Sequence, residues 1–145
     1  MTDRDGLLAL AARHAALEGE PEGDLDAVLA TMHDDPVYEL FPVGRVFRGA
    51  DAARRYYEHF FGTFRPLVAD YVLRNEYVGD TGLAQEYTIW TSTGRDGARE
   101  RHDVAAVLTF GTDRLSGERV FASDRLLQLM FGPAYDLAET AAAEG

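Results

Sequence analysis

Four side chains that can hold or transfer a proton stand in or beside β-prone runs of this 145-residue chain. They are Tyr38 in VYELF, Glu86 in QEYTIW, His102 in RHDVAAV and Asp124 in DRLLQL. Burial moves the pKa of a carboxyl or an imidazole toward neutrality, which suits such a group to proton transfer. Removing a proton next to a carbonyl also needs a hydrogen-bond donor at the oxygen that becomes negative. These residue types therefore predict acid/base chemistry.

Each of the four residues also has a purely structural interpretation. His102 lies in the charged stretch RERHD and would be solvated there. Glu86 would face solvent or pair with an arginine on the neighbouring strand. Asp124 directly precedes a helical pattern, where capping is the commonest role of an aspartate. Tyr38 would be a packed core residue.

Composition and motifs exclude several kinds of site. The chain has no cysteine, so disulfides, thiolate metal sites and a cysteine nucleophile are excluded. The four histidines (14, 33, 59 and 102) show no metal-ligand spacing. Neither a phosphate-binding glycine loop nor a Gly-x-Ser-x-Gly motif is present. We therefore expect no metal and no other cofactor.

The charge balance also limits the partners. Fourteen basic residues against 25 acidic ones give a net charge of −11, which repels nucleic acid and anionic membrane surfaces. The first twenty residues do not resemble a signal peptide, and no apolar run reaches membrane-spanning length. A cytoplasmic protein without nucleic-acid or membrane partners is expected.

The elements that must position these side chains follow from the hydrophobic pattern. It predicts helices over residues 3–18 and 25–33, a strand within 34–44, an aromatic-striped helix after residue 50, four strands between residues 67 and 124, and a short helix over 124–132. A single domain would cover residues 1–132, and the acidic, alanine-rich tail 133–145 would be loosely helical or disordered. This order predicts an α+β fold.

Two segments, GDLDAVLATMHDDPVYELFPVGRVFRGADAARRYY and RLSGERVFASDRLLQL, resemble the nuclear-transport-factor-2-like superfamily. That superfamily includes steroid Δ-isomerases, limonene epoxide hydrolases, scytalone dehydratases and SnoaL-like polyketide cyclases. The resemblance implies a cone-shaped, curved mixed/antiparallel sheet, with N-terminal helices packed on its concave face around one pocket. It also implies a homodimer.

The resemblance to steroid isomerases does not extend to their acids. Leu40 and Phe41 stand where their general base is expected, and Ala106 stands where their second acid is expected. Their first-helix tyrosine corresponds to His14. Isomerisation by their mechanism is therefore not expected.

Epoxide hydrolases and SnoaL-like cyclases offer two further comparisons. Tyr38 matches a hydrolase tyrosine and Glu86 could replace one of their aspartates, but Leu40 stands where they have an asparagine. The cyclase pattern fits better, because Glu118 opens a strand that is followed six residues later by Asp124. The resemblance implies an acid/base role for Asp124, with Ser123 as a competing alignment.

Strand alternation, aligned through this resemblance, predicts the pocket. The side chains predicted to point inward are Tyr38, Leu40, Ala84, Glu86, Thr88, Trp90, His102, Val104, Ala106, Leu108, Phe110, Glu118, Val120 and Ala122. His102 and Asp124 would form the acid/base pair, and Tyr38 would donate to the substrate oxygen. Glu86 would orient His102 or replace it as the base. The predicted substrate-binding residues are Trp90, His14, Leu40, Phe41, Tyr57, Phe60, Phe61, Ala106 and Glu118.

Three functions remain open from the sequence. The first is a cofactor-independent enzyme that moves protons on a hydrophobic, polyketide-like small molecule, in a cyclase, isomerase or dehydratase type of reaction. The second is a non-catalytic module that binds an apolar ligand or dimerises. The third is an epoxide hydrolase in which Glu86 or Asp124 activates water.

Overall fold

The computed structural model describes residues 3–20 and 23–140. The chain begins with helix α1 (Arg4–Gly19) and the short helix α2 (Leu25–Ala30), each capped by an aspartate side chain that accepts a backbone N–H. Strands β1 (Met32–Phe41) and β2 (Arg45–Arg48) form a hairpin, and helix α3 (Ala50–His59) follows. The third helix continues through a π-helical segment (Phe60–Phe64) and a 3₁₀ turn (Arg65–Leu67).

The second half is a strand meander closed by helices. It contains β3 (Val68–Val78), β4 (Gly82–Thr91), β5 (Glu100–Phe110) and β6 (Leu115–Phe121), with a 3₁₀ turn (Arg95–Gly97) between β4 and β5. Helices α4 (Asp124–Phe131) and α5 (Pro133–Leu137) and the two-residue strand β7 (Glu139–Thr140) complete the described chain. None of the described helices is both long and apolar enough to cross a bilayer.

The described strands form one seven-stranded sheet in the order β3-β4-β5-β6-β1-β2-β7. β1 and β6 are parallel, and every other neighbouring pair is antiparallel. The sheet is therefore mixed, as expected, and the helices pack on one face. Tyr56, Tyr57, Phe64 and Phe131 are almost completely buried between the helices and this face.

A glycine allows β6 to lie close to β1. Gly117 pairs with Val37, and a Cβ on this glycine would lie 1.8 Å from the Val37 carbonyl oxygen. Its φ of +153° is also a conformation that favours glycine. The next pair in the register places Glu118 beside Tyr38, so the close approach brings two polar side chains together on the inner face.

Three expected boundaries differ from the structure. The second helix ends at Ala30, so Met32 and His33, expected at the end of that helix, instead begin β1. Gly62, a residue type that predicts fraying near the end of the third helix, lies inside the π-helical segment. The expected tail begins as a packed helix, because Ala134 and Tyr135 are buried against the body; residues 141–145 lie outside the described part of the chain.

Candidate functional site

A cavity of about 210 Å³ lies between the helices and the inner face of the sheet. Its walls come from α1, the π-helical segment with its 3₁₀ turn, strands β3 to β6 and α4. The lining residues are Ala15, Glu18, Gly19, Phe60, Phe64, Arg65, Val68, Tyr71, Gln85, Tyr87, Ile89, Ala106, Leu108, Glu118 and Met130. Most of this lining is apolar, and its two carboxylates are Glu18 and Glu118.

His14 is completely buried next to this cavity, and its hydrogen bonds define its tautomer. The Nδ1 atom lies 2.7 Å from Thr31 Oγ1, and that hydroxyl donates its own proton to the Val28 carbonyl at 2.7 Å. Thr31 Oγ1 can therefore only accept from the imidazole, so Nδ1 carries a proton. The other ring nitrogen, Nε2, faces Tyr57, whose hydroxyl is 2.9 Å away.

Glu18 lies one helical turn after His14 and contacts its Nε2 atom. Residues four apart share one face of a helix, which explains the meeting. An ionised carboxylate and the bare Nε2 of a neutral imidazole are both acceptors. One proton must therefore lie between them, either on the imidazole or on the carboxyl. The Glu18 side chain is 21% exposed, and it also borders the cavity.

Glu118 is the second carboxyl of the cluster, and it reaches the same place from β6. It is only 6% exposed, and its Oε2 atom has no hydrogen-bond partner among the described residues. Burial raises the pKa of Glu118 well above its usual value, and the nearby Glu18 charge raises it further. A proton on Glu118 therefore relieves the cost of burying an unpaired carboxylate.

Tyr38 stands next to Glu118 in the register and is completely buried. Its ring stacks on Phe47 at 4.7 Å, and its hydroxyl has no partner with hydrogen-bond geometry among the described residues. Burial raises the pKa of Tyr38 well above its usual value; Glu118 adds to the rise and Tyr57 opposes it. The phenol therefore stays protonated and remains a donor.

His14, Glu18 and Glu118 have ligand atoms that all lie within 4.8 Å of one another. Among the described residues, this is the one group of three or more such side chains that could surround a metal ion. The arrangement can either share protons or hold a cation.

A second and larger cavity, of about 380 Å³, lies between β2, α3 and the α5–β7 segment. Its ionisable lining residues are all exposed, namely Arg48, Asp51, Arg55 and Glu139. Because solvated groups keep near-ordinary reactivity, the smaller cavity beside His14 is the candidate site.

The predicted inner face of β4 is wrong by one residue. Gln85, Tyr87 and Ile89 line the cavity, whereas Glu86 is exposed and Trp90 lies on the same outer face, near Arg101. A strand alternates its side chains, so a shift of one position moves them all to the other face. The register agrees, because Gln85 pairs with Ala106 of the lining. Glu86 therefore cannot orient His102 from inside the cavity.

Neither member of the predicted acid/base pair lines the cavity. Asp124 is exposed at the start of α4. There it accepts one hydrogen bond from the Tyr135 hydroxyl and another, of 2.8 Å, from the Gln128 side chain. His102 is buried toward one end of β5 and lies 2.9 Å from Thr91 Oγ1 through Nε2. Burial lowers the pKa of His102, and Glu100 opposes this.

The predicted substrate-binding residues lie in three places. Phe60, Ala106 and Glu118 line the cavity, while His14 and Tyr57 form part of its polar end. Leu40 is fully buried in the core, and Phe61 packs over Gly23. Phe41 lies on the outer face, stacked on Phe121 at 4.9 Å.

Glu18 is the site residue that the sequence analysis missed. A signal was present, because Glu18 follows His14 by four residues on the same helix. Nothing local showed that Glu118 would meet this pair, since the contact depends on the packing of α1 against β6.

The comparisons with known proteins give a family and a fold. The SnoaL-like domain family matches residues 11–117. No curated protein matches this chain. The similar solved structures include an NTF2-like protein from Anabaena variabilis, with a TM-score of 0.66, 18% identity, and 86% of this chain and 95% of that one covered.

Two further structures come from proteins with a stated activity class. A steroid Δ-isomerase from Pseudomonas aeruginosa has a TM-score of 0.65 and 13% identity, with 90% of this chain and 89% of that one covered. A candidate SnoaL-like polyketide cyclase from Jannaschia sp. CCS1 has a TM-score of 0.66 and 14% identity, with 89% and 94% covered. At these identities the likeness establishes the NTF2-like fold.

Proposed function

This chain belongs to the SnoaL-like domain family, and we propose that it is an enzyme that moves a proton next to a carbonyl group of a hydrophobic small molecule. The observation that carries the proposal is the meeting of two carboxyls and an imidazole at one side of an apolar cavity. Fold alone does not imply a reaction. The proposal therefore depends on the arrangement of His14, Glu18 and Glu118.

The two carboxyls have different environments, and this suggests different roles. Glu118 has no partner for Oε2 and is buried, so it is the group that keeps a proton and acts as the acid. Glu18 borders the cavity and contacts His14. Because a protonated His14 stabilises a neighbouring carboxylate, Glu18 is the base. Pairs of ionisable groups with different environments commonly divide acid and base roles in this way.

The reaction step balances with these residues alone. The Glu18 carboxylate takes the proton from the carbon next to the carbonyl, and the C–H electrons form a carbon–carbon double bond. The carbonyl oxygen takes the proton of Glu118, giving an enol and a Glu118 carboxylate. Where the enol is conjugated to a second double bond, Glu18 gives its proton to the far carbon and the enol O–H returns its proton to Glu118, which isomerises the substrate. Where the enol carbon instead attacks a second carbonyl, a carbon–carbon bond closes a ring, the new alkoxide takes the proton from Glu18, and the enol O–H returns its proton to Glu118.

The size and lining of the cavity limit the substrate. At interior packing density, 210 Å³ accommodates about 150 Å³ of ligand atoms, the size of a molecule with two fused rings. Phe60, Phe64 and Tyr87 supply flat apolar walls that suit such rings. A polyketide-like aromatic ketone fits this description.

The test uses 2-tetralone, a two-ring ketone, as a probe. Its α-protons are exchanged for deuterium in D₂O and followed by proton NMR, with protein freed of metal by a chelator. We expect exchange above the buffer rate, and a fall of about 100-fold or more in Glu118→Gln and in Glu18→Gln, the usual scale of general acid–base catalysis.

Glu86→Gln is the matched control, because Glu86 is a mid-strand glutamate on the outer face. It should exchange the probe at the wild-type rate. If the probe binds but exchanges equally in wild type and in Glu118→Gln, the protein is a binding module and the enzyme proposal is wrong.

We also propose that the outer face of the sheet pairs two copies of the chain. This face carries Trp90 and the stacked pair Phe41 and Phe121, of which Phe121 is 40% exposed, with Arg119 over the ring of Phe41 at 5.2 Å. Analytical ultracentrifugation should show a dimer that Phe121→Asp dissociates. The control Leu137→Asp, at an exposed leucine of α5, should leave it intact, and a monomeric wild type would contradict the proposal.

A further inference from the structure

We propose that His14, Glu18 and Glu118 also form a binding site for one divalent transition-metal ion of the zinc type, which takes the place of the proton shared by His14 and Glu18. The inference uses the same side chains as the proposed function but does not depend on its proton chemistry. The three metal-ligand side chains come from two distant parts of the chain, which explains why their spacing in the sequence does not reveal the site.

The distances are close to those of a coordination sphere. The three ligand atoms lie within 4.8 Å of one another. Ligand bonds of about 2.0–2.2 Å around one zinc-type ion place neighbouring donor atoms about 3–4 Å apart. Small rotations of the two glutamate side chains bring the set into this range, with the Glu18–His14 contact opening to admit the ion.

The histidine is already oriented for this role. Thr31 accepts the Nδ1 proton at 2.7 Å and is itself fixed by the Val28 carbonyl. Nε2 is therefore the nitrogen that can present a lone pair toward Glu18 and Glu118, and binding of the ion replaces its 2.9 Å contact with the Tyr57 hydroxyl. Histidines that bind metals are typically held in this way, with the second ring nitrogen donating to a protein oxygen.

The unpaired carboxyl is an independent sign of a missing partner. Glu118 is 6% exposed, and no described donor reaches its Oε2 atom. Buried polar atoms almost always have a partner, so an orphan oxygen on a carboxyl that also has an oxygen within 4.8 Å of a histidine nitrogen and a second carboxyl indicates a ligand. A cation of charge +2 with two carboxylates and a neutral imidazole gives a neutral group, which a buried site tolerates well.

The donor types favour one class of metal. One imidazole nitrogen and two carboxylate oxygens suit Zn²⁺, Co²⁺ or Mn²⁺, whereas Ca²⁺ and Mg²⁺ need six or more oxygen ligands. The adjoining cavity leaves a fourth position for water or for a substrate oxygen. Zn²⁺ should therefore bind at least about ten times more tightly than Mg²⁺.

The test is isothermal titration of untagged, chelator-treated protein with Zn²⁺, followed by visible absorption of the Co²⁺ form. We expect one Zn²⁺ per chain, and a loss of affinity of at least about tenfold in His14→Gln and in Glu118→Gln, the scale expected when a ligand is lost. The control His33→Gln, which removes a histidine that pairs with Asp113 at the surface, should keep full affinity.

The Co²⁺ spectrum separates an ordered site from loose binding. Four-coordinate Co²⁺ absorbs much more strongly than the aqueous six-coordinate ion, and this band should vanish in His14→Gln. Zn²⁺ binding of equal affinity in wild type and His14→Gln, or a Co²⁺ spectrum like that of the aqueous ion, would overturn the inference. Circular dichroism melting of each variant shows whether it is folded.

Two results distinguish the metal site from the metal-free proton transfer of the proposed function. Probe exchange that depends on Glu118 but no ordered Zn²⁺ binding would overturn the metal site alone. Ordered Zn²⁺ binding with probe exchange only in the metal-loaded protein would support the metal site and overturn metal-free proton transfer.

Discussion

The protein contains two clusters built from the same kinds of side chain, and they differ in what surrounds them. The inner cluster joins His14, Thr31, Glu18 and Glu118. The outer cluster is a chain of hydrogen bonds that runs from His102 through Thr91 to Thr93. Thr93 donates to Glu100 at 2.5 Å, and Arg125 donates to the same carboxylate at 2.6 Å.

The carboxyl pKa values move in opposite directions in the two clusters. The Arg125 hydrogen bonds, then that of Thr93, lower the pKa of Glu100 to about 2. Burial raises the pKa of Glu118, which has no arginine partner. Residue type therefore does not identify an acid/base site: a carboxylate that is fully paired serves structure, and one that is buried and unpaired is available for chemistry.

The largest expected difference between the clusters appears when the glutamate of each is replaced by leucine, because activity and stability should both respond differently. Glu118→Leu should abolish exchange of the 2-tetralone probe and raise the free energy of unfolding by about 1–2 kcal/mol, because it removes a buried carboxyl without a partner. Glu100→Leu should leave exchange unchanged and lower the unfolding temperature, because it leaves Arg125 without its carboxylate. Chemical denaturation measures the free energy of unfolding, a thermal melt measures the unfolding temperature, and NMR measures the exchange rate.

The opposite result would remove the contrast between the clusters. If Glu118→Leu destabilised the protein and Glu100→Leu slowed exchange, the outer cluster would contain the reactive group.

A smaller difference is expected for the two threonines that orient the histidines. Thr31→Val removes the acceptor of His14 Nδ1 and should cost about 1–3 kcal/mol of stability, with exchange slowed about tenfold as the ring loses its orientation. Thr91→Val should also destabilise the protein, since Thr91 is buried, but exchange should not change. Thr31→Ser keeps the hydroxyl and should restore the exchange rate.

These threonine variants separate orientation from packing. Equal exchange rates in Thr31→Val and Thr91→Val at matched stability would show that the His14 hydrogen bond has no part in the reaction.

The smallest expected effect is the pH dependence of the outer cluster. The pKa of Glu100 is lower in the folded protein, at about 2, than in an unfolded chain, at about 4.3. Its ion pair therefore stabilises the fold fully above about pH 4.3, and this contribution is lost as the pH falls toward 2. The difference in melting temperature between wild type and Glu100→Gln should shrink over this range.

An NMR titration of the Glu100 side-chain carboxyl tests the same point directly. A midpoint near 4 would show that Arg125 does not hold the carboxylate in solution, and the contrast between the clusters would then depend on burial alone.

Much of the fold could be predicted from the sequence, because local patterns determine it. The stripe of Leu7, Leu10, Ala11, His14 and Leu17 predicted α1, and all of these except the half-buried Leu10 are buried in that helix. The inner face of β5 and β6 was also predicted, since Ala106, Leu108 and Glu118 line the cavity. The face of β4 was predicted wrongly, because LAQEYTIW has apolar residues at both parities and alternation alone cannot choose between them.

The candidate site could be predicted only in part. His14, Tyr57 and Glu118 were named as substrate-binding residues, and the structure brings His14 close to both of the others. The predicted acid/base residues, His102 and Asp124, lie at a charged strand end and at a helix start. In the structure, Arg125 pairs with Glu100 at that strand end, and Tyr135 donates a hydrogen bond to Asp124.

The sequence by itself determined most of the secondary structure, the acidic surface and the family, because these depend on local periodicity, composition and motif order. Only the tertiary structure decided which carboxylates have partners. Glu18 and Glu118 are one hundred positions apart in the sequence, and they meet because α1 packs across β6. Whether a carboxyl is solvated, paired or left alone in an apolar cavity depends on neighbours that distant segments supply, and this fixes its chemistry.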